Sequence, residues 1–455
     1  MDLNLTIFRE YDIRGIVGQD LDEGIMTVLG KAYGAYIAGA RKHNVIVVGR
    51  DGRLHSKALS DALIAGVTAC GLDVIDIGEV PSPLTYFAAN TMDIDGFLML
   101  TASHNPSEYN GLKIGVGTTT IYGAEIQRFG QIAQAGVFPI ADTSGRVTTR
   151  DVVPEYLDDV CGRIRLARKL KVVVDGGNGV SGPIAVPLFE RLGCEVIPLF
   201  CDVDGRFPNH HPDPTKIANL TALIETVNRE KADVGIAFDG DGDRIGGCDD
   251  QGNLLQGDRL LALFARSVLR EVPGATIIGE VKCSRGLYED IRRHGGNPMM
   301  YRTGHSLIKA KMKEVGAELA GEMSGHIFFK HRWLGFDDAA YAAARLLEII
   351  ADSSEPLSAM LATIPKRFDT PELEIKSDDR KKFEVVEKAT RYFKDELGLE
   401  VVTVDGARIE FPDGWGLLRA SNTAPKLIAR VEADNEARMN EILALIKDKV
   451  AELNT

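Results

Sequence analysis

A serine in a polar loop, directly after an apolar run, is the first candidate for chemistry. Residues 101–106 read Thr-Ala-Ser-His-Asn-Pro and follow the apolar residues 97–100. Such a run is typical of a buried strand of a parallel sheet, and open α/β sheets bind ligands at the carboxyl ends of their strands. Ser103 is therefore a candidate nucleophile. Taken alone, the segment is slightly better explained as a turn without chemistry, because all of these residues form turns readily.

The histidine beside this serine would suit a serine hydrolase. Neighbouring side chains in an extended segment point to opposite faces, so we expect His104 to be poorly placed as a base for Ser103. This expectation argues against a hydrolase.

Three aspartates separated by glycines form a second candidate site. Residues 234–238 are apolar and predict a strand that leads into Asp239-Gly-Asp241-Gly-Asp243. Glycine lets the backbone turn tightly enough for the three carboxylates to converge on one hard divalent cation. With few protein oxygens and a phosphate nearby, the expected ion is Mg²⁺.

Three other interpretations of this acidic segment exist. An EF-hand loop requires glycine at its sixth position and glutamate at its twelfth, where this chain has Arg244 and Asp250. A haloacid-dehalogenase-type phosphatase would use Asp239 as nucleophile and would usually have Thr or Val at the position of Gly242. A solvated acidic turn does not explain why three carboxylates directly follow a buried strand.

Two short polar segments could recognise a sugar. Residues 321–326 place Glu322, Ser324 and His326 in one loop, and alternating polar side chains can hydrogen-bond vicinal hydroxyls. Just upstream, His305 lies in a second glycine-containing loop. Each segment alone is better explained as an ordinary turn.

A fourth segment has the composition of a phosphate-binding loop. It reads Arg419-Ala-Ser421-Asn422-Thr423-Ala-Pro and leads to Arg430. A guanidinium fork, two hydroxyls and an amide beside a turn can hold a phosphate. A hairpin loop with incidental polar residues explains this segment about equally well.

The composition is that of an ordinary globular protein with several domains. The 455 residues exceed one core and suggest about three or four domains. The net charge of -13, with no basic tract, argues against nucleic-acid binding, so an anionic ligand would need cations gathered locally. We expect no signal peptide and no membrane span, because no run of 18 apolar residues occurs. Cysteines without metal-ligand spacing indicate a reduced, cytoplasmic protein.

The elements that must position these residues repeat along the chain. Residues 45–48, 171–174 and 276–278 each predict a strand followed by a polar, glycine-containing loop, and a helix over 56–70 follows the first. This predicts three related α/β domains. Beyond about residue 365, a charged helix over 378–397, strands separated by turn signals and a closing helix predict a smaller α+β domain, antiparallel in character, that caps a cleft.

Taken together, the four motifs resemble the α-D-phosphohexomutase family, and within it the bacterial phosphomannomutase/phosphoglucomutase group. They occur in order over nearly the whole chain: 101–106 with Asn110-Gly-Leu-Lys113, then 239–244, 321–326 and 419–423. A small departure is Ala102, where relatives often have glycine.

The resemblance implies an α/β fold with four domains around a central cleft. Three are related α/β domains, each a mixed sheet with helices on both faces, and the last is a mobile α+β lid. The expected boundaries are 1–147 with the phosphoserine loop, 148–251 with the magnesium loop, 252–364 with the sugar-recognition loop and 365–455 with the phosphate-binding loop.

The resemblance also implies roles by position. Ser103 would carry a phosphoryl group, with His104 beside it. The implied metal ligands are Ser103, Asp239, Asp241 and Asp243. The rest of the implied catalytic set is Arg14, Lys113, Arg244 and His326, with Lys113 or His326 as general base. The implied substrate-binding set is Tyr11, Lys282, His305, Glu322, Ser324, His326, Arg419, Ser421, Asn422, Thr423 and Arg430.

The implied activity is reversible phosphoryl transfer between O1 and O6 of mannose or glucose, through a phosphoserine and a hexose 1,6-bisphosphate that is also the activator. Phosphoglucosamine mutases commonly have Gln at the position of Met323, so glucosamine is the alternative substrate. A non-catalytic, metal-dependent sugar-phosphate-binding protein is the alternative class. The expected partner is a small sugar phosphate, with neither nucleic acid nor membrane, and the chain would be a monomer or homodimer.

Overall fold

Four β-sheets follow one another along the chain, and each is built from one stretch of sequence. The computed structural model describes residues 3–378, 380–421 and 426–454. Over these residues the first three sheets mix parallel and antiparallel strands, and the fourth is antiparallel. This confirms the predicted fold class.

The first sheet has seven strands in the first third of the chain. They are β1 (Ile13–Ile16), β2 (Val45–Arg50), β3 (Asp73–Glu79), β4 (Gly96–Leu100), β5 (Tyr109–Val116), β6 (Thr119–Thr120) and β7 (Val147–Thr149). Its helices are α1 (Glu23–Tyr36), α2 (Ser56–Ala69), α3 (Ser82–Thr91) and α4 (Ala124–Ala135). The order is β1-β5-β4-β2-β3-β7, with β6 paired to β5. Parallel β2, β3 and β4 form its centre.

The second sheet has four strands in the order β11-β10-β8-β9. They are β8 (Lys171–Asp175), β9 (Glu195–Leu199), β10 (Val234–Phe238) and β11 (Ile245–Asp249). The helices of this region are α5 (Val153–Arg163), α6 (Gly182–Arg191) and α7 (Thr221–Glu230).

The third sheet repeats the pattern of the second in the order β13-β12-β14-β15. Its strands are β12 (Thr276–Glu280), β13 (Asn297–Tyr301), β14 (Leu319–Gly321) and β15 (Ile327–Phe329). Its helices are α8 (Gly257–Glu271), α9 (Arg285–Arg293), α10 (His305–Val315), α11 (Ala339–Asp352) and α12 (Leu357–Ala362). In both sheets the last strand is antiparallel to its neighbour, which indicates that the two domains share one plan.

The fourth sheet is antiparallel throughout its described residues. Its strands are β16 (Phe368–Asp369), β17 (Leu373–Lys376), β18 (Glu400–Val402), β19 (Ala407–Phe411), β20 (Gly414–Ala420) and β21 (Lys426–Ala433). Two helices belong to it, α13 (Lys382–Arg391) and α14 (Glu436–Leu453), and a π-helical turn over Tyr392–Glu396 extends α13. The predicted charged helix therefore begins four residues later than expected.

One hydrophobic core joins the first three sheets. A single buried cluster contains Phe97 of the first sheet, Val174 of the second and Ile277 of the third. Because strand side chains alternate, the opposite faces of these sheets pack into separate clusters of their own. The fourth sheet buries its own core around Phe393 and Ile409.

The domains with the expected boundaries remain our proposal, with one adjustment. Strand β7 spans the expected first boundary and pairs with β3 of the first sheet. We therefore propose that the first domain extends through β7, and we number the four domains I to IV in chain order.

Candidate active site

Three of the four sequence motifs lie in loops that join antiparallel neighbours of a sheet, namely β4 to β5, β10 to β11 and β14 to β15. The fourth motif begins on β20 with Arg419 and continues beyond Ser421 into residues outside the described part of the chain. The three loops begin where a parallel strand ends, as the apolar runs before Ser103 and Asp239 predicted for the first two.

Two glycines allow these three loops to touch. A Cβ atom on Gly240 would lie 2.5 Å from the carbonyl oxygen of Ser103, and one on Gly325 would lie 2.2 Å from that of Ile245. Real Cβ atoms do not approach so closely, so glycine is required at both contacts. The result is that the serine, aspartate and sugar motifs meet at one place.

Ser103 is buried and its hydroxyl faces the acidic loop. Its backbone is left-handed, with φ of 49°, and its N–H donates to Oγ1 of Thr101 over 2.9 Å. The Oγ atom donates to Oδ2 of Asp239 over 2.7 Å. This geometry brings the candidate nucleophile directly against the predicted metal site.

The expectation that His104 is badly placed for Ser103 is wrong. Its Nδ1 atom lies 3.1 Å from the Ser103 Oγ atom. The argument assumed an extended segment, but the left-handed residue turns the chain and brings the two side chains together. Burial, with the neighbouring Arg244 and Arg14, holds the pKa of His104 well below its usual value, so the ring is neutral.

A buried arginine that sequence reasoning missed holds the serine loop in shape. Arg53 donates to the carbonyl oxygens of Ser103 and Asn105 over 2.9 and 2.6 Å, and also to those of Pro106 and Tyr109. Its charge is balanced by Asp51 at 3.1 Å. The polar loop after β2 was the signal available in the sequence, but only the folded loop shows which carbonyl groups it faces.

The three aspartates form a compact, buried group. One carboxylate oxygen from each of Asp239, Asp241 and Asp243 lies within 4.8 Å of the others. Lys113 extends from β5 into this group, and its Nζ atom lies 2.6 Å from Asp241 and 2.5 Å from Asp243. The interpretation as a solvated acidic turn is therefore excluded.

The donor set of this group fits a hard divalent cation. Burial, and then the neighbouring Asp243 and Asp241, raise the pKa of Asp239 well above its usual value, so a nearby cation would be needed to favour its ionised form. The buried Oδ1 atom of Asp241 lacks a hydrogen-bond partner among the described residues. A cation with oxygen ligands would satisfy both conditions.

A cleft of about 490 Å³ opens beside Ser103. The predicted site residues that line it are Tyr11, Arg14, Ser103, His104, Lys113, Asp243, Arg244, His305 and His326. Arg9, Asp12, Asn105 and Tyr109 also line it and were not predicted. Arg14, Lys113 and Arg244 therefore share one cavity. In a protein of negative net charge, this local positive charge favours an anionic ligand.

The sugar motif is joined to the acidic group by His326. Its Nε2 atom lies 3.2 Å from Asp243, and its Nδ1 atom lies 2.7 Å from Glu322 and 3.0 Å from Ser324. Although burial disfavours the charge, these carboxylates raise the pKa of His326 to about 9. Glu322 also accepts from the backbone N–H of Gly304 over 2.6 Å, and its two oxygens retain lone pairs that could accept from a sugar hydroxyl.

The cations predicted to bind the non-reacting phosphate lie in domains III and IV, and each already has a carboxylate partner. Arg419 pairs with Asp405 at 3.1 Å, and Arg430 pairs with Asp369 at 2.8 Å. Lys282 pairs with a glutamate of domain IV at 2.6 Å. The Nε atoms of both arginines are buried without a hydrogen-bond partner among the described residues.

The described cations of the predicted phosphate site surround one carboxylate. Although burial opposes the shift, Lys282, Arg430 and Arg419 together hold the pKa of Glu372 below its usual value. Arg430 borders a separate cavity of about 70 Å³ between domains III and IV. Ser421 is buried at the end of β20, and Asn422 and Thr423 lie outside the described residues.

Comparison with known proteins agrees with this geometry. The sequence matches four domain descriptions in order: Phosphoglucomutase/phosphomannomutase, alpha/beta/alpha domain I over residues 5–128, domain II over 154–252, domain III over 256–368, and the C-terminal domain over 372–449. The chain belongs to the phosphoglucomutase/phosphomannomutase family. The resemblance seen in the sequence is thereby confirmed.

Several named members of this family are similar over almost their whole length. A phosphomannomutase/phosphoglucomutase of Pseudomonas aeruginosa is 47% identical over 448 residues, which are 98% of this chain and 96% of that protein. A phosphoglucomutase of Neisseria meningitidis serogroup A is 46% identical over 437 residues, or 96% and 95% of the two chains.

A solved structure confirms the four-domain architecture. A phosphoglucomutase/phosphomannomutase family protein from Burkholderia thailandensis superposes with a TM-score of 0.93 at 44% identity, covering 99% of this chain and 98% of that one. Within the part of the chain that the structure describes, no helix has the length and apolar character needed to cross a bilayer.

Proposed function

We propose that this protein reversibly moves a phosphoryl group between O1 and O6 of a hexose, with mannose and glucose phosphates as substrates. The observation that carries this proposal is the 2.7 Å contact between the Ser103 hydroxyl and Asp239, inside a buried group of three carboxylates. The Pseudomonas relative named phosphomannomutase/phosphoglucomutase supports both sugars.

In this proposal, phospho-Ser103 donates its phosphoryl group to the free hydroxyl of the bound sugar phosphate. The bond between phosphorus and Ser103 Oγ breaks, and a bond to the sugar oxygen forms. The resulting hexose 1,6-bisphosphate turns over in the cleft and returns its other phosphate to Ser103. Because both ends of the sugar visit Ser103, each phosphate must also fit the distant anion site.

The residues of the chain position the reacting groups and balance charge. Arg14 and Arg244 line the cleft beside Ser103, where they orient the phosphoryl oxygens. Lys113 and His326 remain the candidates for the general base. Although burial disfavours their charged forms, the carboxylates of the acidic group raise the pKa of both side chains, so either one must first give a proton to a neighbouring carboxylate before it accepts the hydroxyl proton. Mg²⁺ bound by Asp239, Asp241, Asp243 and the Ser103 phosphate would offset the charge of the transferring group.

The second half of the proposed site recognises the sugar and its non-reacting phosphate. We assign the sugar hydroxyls to Glu322 and Ser324. The anion site would contain Arg419, Ser421, Asn422, Thr423 and Arg430, with Lys282 beside them, whereas Tyr11 and His305 would contact the substrate from the cleft beside Ser103. The pairing of these cations with carboxylates supports the assignment, because an arriving phosphate can exchange with such partners as domain IV closes and excludes water.

The experiment that tests the function compares mannose, glucose and glucosamine 1-phosphates as substrates, with Mg²⁺ and a catalytic amount of hexose 1,6-bisphosphate. We expect 6-phosphate product from mannose and glucose, and little from glucosamine. Efficient turnover of glucosamine alone would replace this proposal with a phosphoglucosamine mutase. Binding of all three without product would indicate a sugar-phosphate-binding protein.

We also propose that the protein is cytoplasmic, as a monomer or homodimer, without nucleic-acid or membrane partners. All six cysteines are free, which supports a reducing compartment. Compartment and oligomeric state can be checked by fractionation and by analytical ultracentrifugation.

A further inference from the structure

A second buried carboxylate lies behind one of the cleft histidines, outside the three-aspartate group. Asp337 is fully buried between β15 and α11, and its Oδ2 atom faces Nδ1 of His305 at 3.6 Å. Its Oδ1 atom accepts from Nζ of Lys309 over 2.8 Å. Since His305 and Lys309 both lie on α10, the carboxylate bridges this helix to the start of α11.

Each of the two facing atoms needs the other as its hydrogen-bond partner. Oδ2 of Asp337 and Nδ1 of His305 are both buried, and neither has a hydrogen-bond partner among the described residues. A distance of 3.6 Å is too long for a hydrogen bond, but hydrogen bonds in active sites often tighten when substrate binds. A shift of a few tenths of an ångström would pair both atoms.

We propose that Asp337 is a positioning residue that holds the proton of His305 on Nδ1 and so presents an unprotonated Nε2 atom to a substrate hydroxyl. The ring lines the cleft, and Nε2 is its only other nitrogen. The inference rests on the proposed function for the identity of the hydroxyl, which would donate a hydrogen bond to Nε2.

The environment of His305 favours this neutral form. Burial, and then the nearby cations Lys309 and Lys113, hold the pKa of His305 well below its usual value. A neutral imidazole has one donor and one acceptor nitrogen, and the group bound to the first nitrogen decides the role of the second. His326, which stacks on this ring at 5.7 Å, has both nitrogens against carboxylates and cannot offer the same acceptor.

Lys309 makes the proposal testable, because its ammonium group determines which atom of an amide side chain at position 337 would face it. An ammonium group only donates, so in Asp337→Asn the amide oxygen would face Lys309 and the amide N–H group would face His305. His305 would then need its lone pair on Nδ1 and its proton on Nε2. In the double variant Asp337→Asn with Lys309→Met the amide can rotate, and the original tautomer should return.

The experiment is ¹⁵N NMR of the full-length protein with labelled histidine, without substrate, beside the mutase assay. The chain has nine histidines, and His305→Gln identifies the signal of interest. We expect His305 to be protonated on Nδ1 in the wild type and in Lys309→Met, on Nε2 in Asp337→Asn, and on Nδ1 again in the double variant. kcat/KM should fall about tenfold in Asp337→Asn, as for one lost hydrogen bond, and recover in the double variant.

A wild-type His305 protonated on Nε2 would overturn the proposal, and this result needs no variant to fold. An Asp337→Asn protein with a switched tautomer and unchanged kcat/KM would overturn the link to substrate. Because the tautomer is read without substrate, failure of the proposed mutase function would leave the NMR result intact, so the two failures can be told apart.

Discussion

The first three domains are joined to one another by apolar packing, whereas domain IV is joined to them mainly by polar contacts. One apolar core runs through the first three sheets without interruption. The apolar contact with domain IV is small and centres on Val281, Trp415 and Leu417. A continuous core fixes relative positions, whereas a small interface permits domain motion. Ser103 and the acidic group therefore lie in the part with the continuous core, which we call the rigid part, whereas Arg419 and Arg430 belong to domain IV.

Polar contacts supply most of the attachment of domain IV. Arg285 at the start of α9 donates to Glu410 over 2.6 Å, and to the carbonyl oxygens of Phe411 and Gly414. Arg408 donates in the opposite direction, to the carbonyl oxygens of Val281 and Cys283. Water can take the place of either partner in such a hydrogen bond when the two surfaces separate, so polar contacts suit an interface that opens and closes.

The largest effect should follow from weakening the acidic group inside the rigid part. Asp241→Asn removes one of three proposed metal ligands, so the affinity for Mg²⁺ should fall by about 100-fold or more, above the range seen for outer-shell groups. kcat at fixed Mg²⁺ should fall with it. Metal titrations of activity measure both effects. Asp93→Asn, an exposed aspartate before β4, is the matched control. An unchanged titration would remove the metal from this account.

An intermediate effect should follow from loosening domain IV. Arg285→Gln deletes charge-assisted hydrogen bonds, each of which is worth about 1.5 to 3 kcal/mol. KM should therefore rise about tenfold for both the 1-phosphates and the 6-phosphates, with a smaller change in kcat. Arg438→Gln is the control, since the ion pairs of Arg438 among the described residues are with Asp413 and Glu441 of the same domain. Equal effects from both variants, or a loss of kcat alone, would contradict the division between the two parts.

The smallest effect concerns stability of the rigid part. Burial raises the pKa of Asp338 to about 7, although this carboxylate accepts hydrogen bonds from Tyr156. A folded pKa above that of the unfolded chain favours the protonated form, so its stabilisation is complete below about pH 4 and is lost as the pH rises to about 7. Between pH 5 and 7.5, the melting temperature of the wild type should therefore fall by a few degrees more than that of Asp338→Asn. The value of kcat should change little. Parallel pH profiles of the two proteins would show that Asp338 ionises normally.

The fold and the centre of the site were predictable because both depend on short local patterns. Apolar runs ending in Ser103 and Asp239 mark buried strands that deliver polar loops, and the structure follows this at both positions. The start of the charged helix in domain IV was less well predicted, because charged residues at a helix end carry no periodic signal.

Other parts of the site depend on contacts that no local pattern contains. Arg53 recognises carbonyl groups of a loop about fifty residues away, and carbonyl groups are the same in every sequence. The approach of His104 to Ser103 requires a left-handed residue that is not glycine, which local preference argues against. The environment of Asp337 arises only when α10 and α11 pack.

The central claim is that Ser103 carries the transferred phosphoryl group, and intact-mass spectrometry after incubation with hexose 1,6-bisphosphate tests it most directly. The account predicts one added phosphoryl group, located on Ser103 by peptide mapping, and none in Ser103→Ala, which should also lose mutase activity. Phosphate found on Asp239, or a Ser103→Ala protein that is active and still gains a phosphoryl group, would contradict it.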